Sequence, residues 1–372
     1  MRVALVYDWV NKWGGAERVL LALHEIWPDA PLFTALYDPD AAPWAKVFEI
    51  HPSFLQQFPF ATSHHELYPW LTPLAFQSFN FDDYDVVLSV TSAEAKNLIT
   101  KPHTLHICYC LTPTRYLWSG YEAYQMYPSG GVLEKILQQS LAHFAPMLRR
   151  WDTYASTRPD YYFAISGHVG KRVETYYHRP VEKIIYPPVA TDFFVPDLHR
   201  KNSQVPYYLL VSRLVGYKRI DIIIDAFNKL GWPLVVIGDG WARKQLESKA
   251  RKNIRFVWEH LTDRELLGYY QDCRAFVFSG DEDFGIVAAE AQSCGKSVIA
   301  YKKSGISEIV KEGETGELFD AQSVDSCIKA LMAGKNKVYD PLKCRANSVR
   351  FSKDRFKKEM RQAVYTLFQT YL

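Results

Sequence analysis

Residues 280–295 have the sequence GDEDFGIVAAEAQSCG and lie between two short apolar runs. Ala275–Phe278 before them and Lys296–Ala300 after them are predicted as buried strands, and Phe284 to Gly295 as a helix. A strand, turn, helix and strand in this order predict a parallel sheet of the α/β type. The acidic turn would then lie at the carboxyl end of a strand, where α/β folds bind their ligands.

Glu282 lies in this turn, and Glu290 follows eight residues later in the predicted helix. At about 1.5 Å per helical residue, the two carboxylates are up to about 12 Å apart along the helix axis. The carboxyl pair of a glycosidase needs roughly 5 to 9.5 Å, so the spacing argues against a glycosidase. It suits a ligand with two polar ends, such as a sugar joined to a nucleotide. A solvated turn followed by a glutamate on the helix surface is the alternative.

The length and composition fit a protein of two domains with a large core. The chain has 372 residues, too many for one ordinary domain. It is 48% hydrophobic, and its mean hydropathy of -0.20 is typical of a soluble protein. The net charge of +3 gives no argument for a nucleic-acid partner. The six cysteines include no CxxC pair, which predicts reduced thiols rather than disulfides or zinc.

The first predicted strand and its helix meet at a pair of glycines. Arg2–Tyr7 is predicted as a buried strand and Arg18–Ile26 as a helix, with Gly14 and Gly15 between them. Paired glycines in this position let a ligand approach backbone N–H groups at the positive end of a helix. A tight turn whose glycines serve only packing is the alternative.

Two β-α series follow one another along the chain, separated by the polar residues 192–205. We therefore predict two Rossmann-like domains, at residues 1–195 and 196–352, whose parallel sheets face each other across a cleft. Arg213 and Lys218 lie in one predicted strand-to-helix turn of the second series. A guanidinium fork beside an ammonium suits a diphosphate, and the pair could neutralise such a leaving group without a metal. Two surface cations at a helix start are the alternative.

These features together resemble one family. The chain is similar to the retaining GT-B glycosyltransferases of the group 1 type, especially bacterial O-antigen and exopolysaccharide mannosyl- or hexosyltransferases. The similarity extends over nearly the whole chain and includes the E-x7-E pair Glu282 and Glu290. The other marks are SRL at 212–214 with Lys218, GDG at 238–240, EDFG at 282–285, Gly305 with Glu308, GGAE at 14–17, and TP at 112–113 with RYLW at 115–118.

The resemblance implies a role for each of these residues. Arg213 and Lys218 would bind the donor diphosphate and stabilise its developing charge. Glu282, the third catalytic residue, would hold the donor sugar together with the backbone N–H groups at Phe284 to Ile286. Glu290 would bind the ribose hydroxyls of the nucleotide. The other donor-binding residues would be Gly14, Gly15, Gly238, Phe284, Gly285 and Ile286, and the acceptor or sugar cleft would include Leu111, Thr112 and Arg115.

One position departs from the family pattern. Many relatives carry a histidine before the TP element, and Leu111 stands there in this chain. We expect Leu111 either to face the C6 region of the donor sugar, where it would tolerate a methyl group or a missing hydroxymethyl group, or to belong to the core.

The resemblance implies a transferase that moves a hexose from a nucleotide diphosphate sugar to a saccharide or lipid-linked saccharide in cell-surface polysaccharide synthesis. GDP-mannose is the first expectation for the donor, and UDP-glucose or another UDP-sugar is the next. The first domain would bind the acceptor, the second would bind the donor, and helix 353–372 would return to the first domain. No metal, other cofactor or nucleic acid is expected. A sugar-nucleotide epimerase of the same fold and a non-catalytic partner subunit are the alternatives.

The expected location is the cytoplasm, with peripheral contact to the inner face of the cell membrane. A membrane-spanning helix needs about 18 apolar residues, and no apolar run in the sequence approaches that length. Arg149 and Arg150 have apolar neighbours within a long helical stretch predicted at 130–158, a pattern that hints at a membrane surface. An ordinary solvated helix face is the alternative. Pro146 is predicted to kink or divide this helix, because proline lacks the backbone donor.

Overall fold

The computed structural model describes residues 1–62, 68, 70–122, 132–197, 206–259 and 261–371; within the helix at 132–155 it describes the side chains of residue 139 and of residues 141–155. Residues 198–205 of the predicted linker therefore lie outside the described residues. The chain divides into two compact units, each with its own parallel sheet. The predicted class, α/β with two Rossmann-like units, is confirmed.

Strands and helices alternate along most of the described chain. The strands are β1 Val3–Tyr7, β2 Leu32–Thr34, β3 Ile50–Pro52, β4 Val86–Thr91, β5 Leu105–Cys110, β6 Tyr161–Ala164, β7 Lys183–Ile184, β8 Tyr208–Val211, β9 Leu234–Ile237, β10 Ile254–Val257, β11 Ala275–Phe278, β12 Ser297–Tyr301 and β13 Gly316–Phe319. The helices are α1 Gly15–Ile26, α2 Thr72–Gln77, α3 Val132–Ala155, α4 Gly167–Tyr177, α5 Ile220–Leu230, α6 Arg243–Lys249, α7 Asp263–Asp272, α8 Ile286–Ser293, α9 Val324–Lys335, α10 Pro341–Val349 and α11 Lys353–Tyr371.

The first unit comprises Met1–Glu122, Lys135–Pro188 and Asp354–Leu372. Its seven strands lie in the order β3-β2-β1-β4-β5-β6-β7, and all of their pairings are parallel. Every residue of β1, β4 and β5 is buried, which explains their continuous apolar runs. The strand order reverses between β1 and β4, so the carboxyl ends of these two strands lie where open α/β sheets bind ligands.

The last helix, α11, packs on the first unit. Its buried side chains recur along one helix face and are Phe356, Met360, Ala363, Val364 and Leu367. The Phe356 ring lies 6.0 Å from the ring of Tyr109 in β5, centroid to centroid. Lys357 Nζ donates a hydrogen bond of 2.8 Å to Glu25 Oε2 in α1. The chain therefore returns to the first unit after the strands of the second.

The second unit is formed mainly by Val189–Lys353. Its six strands are parallel and lie in the order β10-β9-β8-β11-β12-β13. The order reverses between β8 and β11, which pair Tyr208 with Ala275 and Leu209 with Phe276. The carboxyl ends of β8 and β11 are therefore the expected ligand-binding point of this sheet.

Two helix predictions differ from the structure. Helix α3 continues through Pro146, so the proline does not divide it. Helix α8 begins at Ile286, two residues later than predicted, because Gly285 precedes it with φ of 100°. All six cysteines are buried free thiols, as predicted. Among the described residues, no helix is both long and apolar enough to cross a membrane.

Candidate functional site

Three of the predicted site residues follow neighbouring strands of the second sheet. Arg213 and Lys218 come after β8, and Glu282 comes after β11. Because β8 and β11 are parallel and paired, their carboxyl ends lie at the same edge of the sheet. This edge is also where the strand order reverses. The structure therefore brings two cations and a carboxylate to the point where α/β sheets bind ligands.

Lys218 and Glu282 form an ion pair at this edge. Lys218 Nζ donates a hydrogen bond to Glu282 Oε1, and only 10% and 16% of the two side chains are exposed. The ammonium also lies 5.4 Å from the ring centroid of Tyr217 and 5.7 Å from that of Phe278. Both distances are within the range of cation–π attraction. The cation is thus enclosed by two rings and a carboxylate.

The exposed Arg213 lies on a loop whose backbone is fixed by the Gly238-Asp239-Gly240 turn. Its Nη2 donates a hydrogen bond of 3.0 Å to Tyr217 Oη. Leu214 N donates a bond of 2.9 Å to Asp239 O. Gly238 has φ of 130°, and a Cβ there would lie 2.0 Å from Ser212 O. Gly238 therefore permits close backbone packing beneath Arg213, while its predicted contact with a donor stays a prediction.

The turn that carries Glu282 is held by a second close backbone contact. Gly305 N donates a hydrogen bond of 2.7 Å to Glu282 O. A Cβ on Gly305 would lie 2.2 Å from Asp283 O, and one on Gly285 would lie 2.5 Å from Ile306 Cγ1. Both glycines are thus required by packing.

Helix α8 begins directly after this turn. Phe284 is buried, with its ring 5.1 Å from that of Phe351. Gly285 is the N-cap, and Ile286 is the first helical residue and half-buried. The first backbone N–H groups of a helix lack partners within the helix and attract anions. Phe284, Gly285 and Ile286 thus lie beside Glu282 in the chain at a helix N-terminus, and their predicted contact with a donor sugar stays a prediction.

Glu290, predicted to bind a ribose, is buried inside the second unit. Only 1% of it is exposed. Its Oε2 accepts a hydrogen bond of 3.0 Å from the hydroxyl of Tyr270 in α7. Tyr270 is fully buried and was not among the predicted site residues. The tyrosine fixes one carboxylate oxygen of Glu290, and the predicted ribose contact stays a prediction.

Gly14 and Gly15 lie at the start of α1 in the first unit. Gly14 is the N-cap and has extended backbone, and Gly15 is the first helical residue and exposed. A Cβ on Gly14 would lie 3.1 Å from Glu17 Oε2. The buried Glu17 accepts a hydrogen bond of 2.8 Å from Tyr7 Oη in β1. A side chain at position 14 would thus be crowded by Glu17 of the GGAE motif. The backbone of Gly14 is not left-handed and does not itself require glycine.

The three residues predicted for an acceptor or sugar cleft follow β5. Leu111 is only 9% exposed, and its N–H donates a bond of 2.8 Å to Thr91 O, which favours the core alternative for this residue. Thr112 is buried, and its Oγ1 has no hydrogen-bond partner among the described residues. Arg115 is half-buried, and a Cβ on Gly120 would lie 2.7 Å from its Cγ. Arg115 is therefore closely packed along its stem.

A buried polar network beside these residues escaped prediction. Lys96 Nζ and Asp152 Oδ1 form a 2.6 Å ion pair with both side chains buried. Thr114 Oγ1 donates to the same carboxylate at 2.8 Å, and Trp118 Nε1 donates at 2.7 Å. The network joins α3 to the segments that follow β4 and β5. It therefore fixes the RYLW motif at the carboxyl edge of the first sheet.

Glu94 lies at the same edge and is only 5% exposed. Tyr116 Oη donates a hydrogen bond to its Oε1, and its Oε2 has no partner among the described residues. Burial, with a smaller contribution from the nearby Asp8 carboxylate, raises the pKa of Glu94 to about 8 against the opposing effects of Tyr116 and Lys96. Glu94 is thus a largely protonated carboxyl group at neutral pH. Its only sequence signal was an acid shortly after a predicted strand.

Arg149, a candidate for membrane contact, makes contacts within the first unit. Its Nε donates a hydrogen bond of 2.7 Å to Leu117 O. Its guanidinium carbon lies 5.6 Å from the ring centroid of Trp118 and 4.5 Å from that of Tyr121. Arg149 therefore supports the RYLW segment. In the described part of the chain, no cluster of three or more His, Cys, Asp or Glu side chains could hold a metal ion.

Comparisons with known proteins agree with the fold, and one family model matches most of the second unit. Residues 195–345 match the family model of glycosyl transferases group 1. An uncharacterized glycosyltransferase of Methanocaldococcus jannaschii is 30% identical over 44% of this chain and 46% of its own length. A lipopolysaccharide 1,2-N-acetylglucosaminetransferase of Salmonella typhimurium is 31% identical over 41% of this chain and 47% of its own length. These matches thus span about half the length of each relative.

Solved structures extend the similarity to both units at the level of fold. The crystal structure of HepE from Anabaena in complex with UDP and glucose superposes with a TM-score of 0.72 and 16% sequence identity. It covers 98% of this chain and 99% of HepE. The chain therefore carries a glycosyl transferase group 1 domain at residues 195–345, within a GT-B fold of two Rossmann-like units.

Proposed function

We propose that this protein is a retaining, metal-independent glycosyltransferase. It transfers a hexose from a nucleoside diphosphate sugar to a saccharide or lipid-linked saccharide in cell-surface polysaccharide synthesis. The observation that carries the proposal is the position of Arg213, Lys218 and Glu282 at the carboxyl ends of β8 and β11, where the strand order reverses. Two cations there suit a diphosphate, and a carboxylate suits sugar hydroxyls.

The chemistry follows from the charge that develops during transfer. As the bond between the anomeric carbon and the diphosphate breaks, negative charge grows on the diphosphate oxygens. Arg213 and Lys218 stabilise that charge, because preorganised cations act most strongly where charge develops. The acceptor hydroxyl attacks the anomeric carbon from the face that the diphosphate leaves, and the diphosphate oxygen takes its proton. The glycosidic bond thus forms with retained configuration and without a protein nucleophile.

The family resemblance and the solved structures suggest two candidate donors. GDP-mannose follows from the family resemblance, and UDP-glucose is the second candidate. Crystal structures of HepE contain UDP with glucose and UDP-glucose, which supports a uridine donor. The lipopolysaccharide transferase of Salmonella typhimurium supports a saccharide acceptor of the cell surface. The first unit would hold this acceptor, and the protein would act in the cytoplasm with peripheral contact to the membrane.

Thermal unfolding with nucleotides tests the proposal. UDP, GDP, ADP and dTDP are added in turn, with and without magnesium, because a ligand of the native state raises the melting temperature by mass action. We expect one nucleotide to stabilise the protein equally with and without magnesium. Arg213→Ala should lose that shift, and Lys244→Ala, at an exposed cation on α6, should keep it. Absence of any shift would argue against a nucleotide site.

Turnover then separates transfer from other reactions of a nucleotide sugar. The nucleotide sugar that matches the stabilising nucleotide is incubated with and without saccharide acceptors. Sugar transfer that requires an acceptor is the expected result. Interconversion of the free nucleotide sugar would indicate an epimerase instead.

A further inference from the structure

We propose that Glu282 discriminates the nucleotide sugar from the nucleoside diphosphate product by competing with the product for Lys218. The inference rests on the function proposed above and gives Glu282 a task beyond contact with the donor sugar. Its basis is the ion pair in which Lys218 Nζ donates to Glu282 Oε1. Glu282 thereby occupies, on Lys218, the position that a phosphate oxygen would take.

The surroundings of Lys218 make this competition direct. The residue is only 8% exposed, and its ammonium lies over the rings of Tyr217 and Phe278. An ammonium has three N–H donors, but the two rings restrict the directions from which an anion can approach. A diphosphate that reaches Lys218 must therefore lie close to the Glu282 carboxylate. Two anions held close together in a partly buried site repel each other with little screening.

The backbone around the pair is fixed. Ser279 Oγ, directly after β11, donates a hydrogen bond of 2.6 Å to Arg219 O, and Gly305 N donates one of 2.7 Å to Glu282 O. A Cβ on Gly280 would lie 2.9 Å from Lys218 O. The two turns are thus packed backbone to backbone. The exchange of partners therefore takes place by side-chain rotation of Glu282.

The presence or absence of the sugar determines which group the Glu282 carboxylate binds. When a nucleotide sugar binds, the sugar hydroxyls donate hydrogen bonds to the Glu282 carboxylate, and the Lys218 ammonium is left to the diphosphate. After transfer the sugar has gone to the acceptor, and Glu282 returns to Lys218. The nucleoside diphosphate then shares its cation with a carboxylate and dissociates. Only hydrogen bonds and ion pairs change in this exchange.

Titration calorimetry with UDP and GDP tests the inference on the full-length chain. Glu282→Gln keeps the side-chain shape but removes the charge that competes for Lys218. We expect it to bind the recognised diphosphate about fivefold or more tightly than the wild type, since an uncompensated repulsion is removed. Asp225→Asn is the matched control, because Asp225 forms a 3.1 Å ion pair with Lys249 on helices α5 and α6. It should bind like the wild type.

Further variants make the result decisive. Lys218→Met should bind the diphosphate more weakly than the wild type does. In the Lys218→Met background, Glu282→Gln should increase the diphosphate affinity much less than it does in the wild type. With UDP-glucose or GDP-mannose, Glu282→Gln should bind no more tightly than the wild type, so the preference for sugar over product falls. Glu282→Ala provides a second variant, and melting temperatures establish that each variant is folded.

The outcomes separate this inference from the proposed function. Equal or weaker diphosphate binding by folded Glu282→Gln and Glu282→Ala would overturn the competition while leaving the nucleotide site in place. If neither diphosphate binds to the wild type or to any variant, the proposed function fails, and the inference fails with it.

Discussion

Gly238 and Ser212 approach so closely that a Cβ on Gly238 would lie 2.0 Å from the Ser212 carbonyl oxygen. Gly238→Ala should therefore displace the loop that carries Arg213 and cost more than about 2 kcal/mol of unfolding free energy, since the clash adds to backbone strain. Gly231→Ala is the control: Gly231 also has positive φ, but a Cβ there meets nothing within 4 Å. Urea unfolding measures both changes, and equal losses would contradict the close-contact argument.

Glu94 should make stability depend on pH. Its pKa in the folded protein, about 8, is above the ordinary value of 4.5, so the folded state holds the proton more tightly. The favourable contribution of protonated Glu94 to the free energy of unfolding is complete below pH 4.5, and it is lost as the pH rises through about 8. Glu94→Gln has no proton to lose there and can still accept from Tyr116.

Melting temperatures at pH 6 and pH 9 test this pH dependence. We expect Glu94→Gln to melt at least about 2 °C above the wild type at pH 9 and to differ less at pH 6. Glu122→Gln, at an exposed glutamate, should follow the wild type at both pH values. Parallel curves for Glu94→Gln and the wild type would show that Glu94 titrates normally.

Lys96→Met should destabilise the first unit strongly. It leaves the buried carboxylate of Asp152 without the Lys96 ammonium, which lies 2.6 Å away. Loss of one member of a buried ion pair lowers the free energy of unfolding by about 3 to 5 kcal/mol. Lys101→Met removes an exposed cation from its pair with Asp82 and should cost about 1 kcal/mol or less. Adding Asp152→Asn to Lys96→Met should recover part of the loss, and denaturant unfolding would reveal whether it does.

Tyr270→Phe tests whether Glu290 takes part in nucleotide binding. The variant removes the hydroxyl that donates 3.0 Å to Glu290 Oε2. If the carboxylate holds a ribose, loss of its orientation should weaken nucleotide binding by about tenfold, by analogy with the groups that orient metal-binding side chains. Tyr269→Phe in the same helix is the control. Calorimetry that finds unchanged affinity for Tyr270→Phe would contradict a role for this hydroxyl in orienting Glu290 toward a nucleotide.

The residues predictable from sequence share a local signal. Ala275–Phe278 and the helix after it have distinct apolar patterns, and Arg213, Lys218 and Glu282 follow strands directly. The carboxyl ends of parallel strands then meet at one edge by geometry alone. Pairing of β8 with β11 completes this edge, although the two strands are far apart in sequence.

The features that escaped prediction depend on distant partners. Lys96 and Asp152 are 56 residues apart, and either would pass for a surface charge if its segment were viewed alone. The same holds for Glu94, whose raised pKa results from burial and from Asp8, which directly follows β1 and is distant from Glu94 in sequence. Glu290 illustrates the reverse case, because its motif was visible but its burial against Tyr270 was not.

The placement of α11 has a consequence for synthesis on the ribosome. The aromatic contact between Tyr109 and Phe356 joins the first unit to a helix that is translated after the last strand of the second sheet. The face of the first unit that α11 covers therefore stays exposed while the whole second sheet is being made. The second unit can complete its sheet before α11 is translated, whereas the first unit cannot bury this face until α11 has been made. In this protein the first unit therefore completes its packing only after the second sheet has been synthesised.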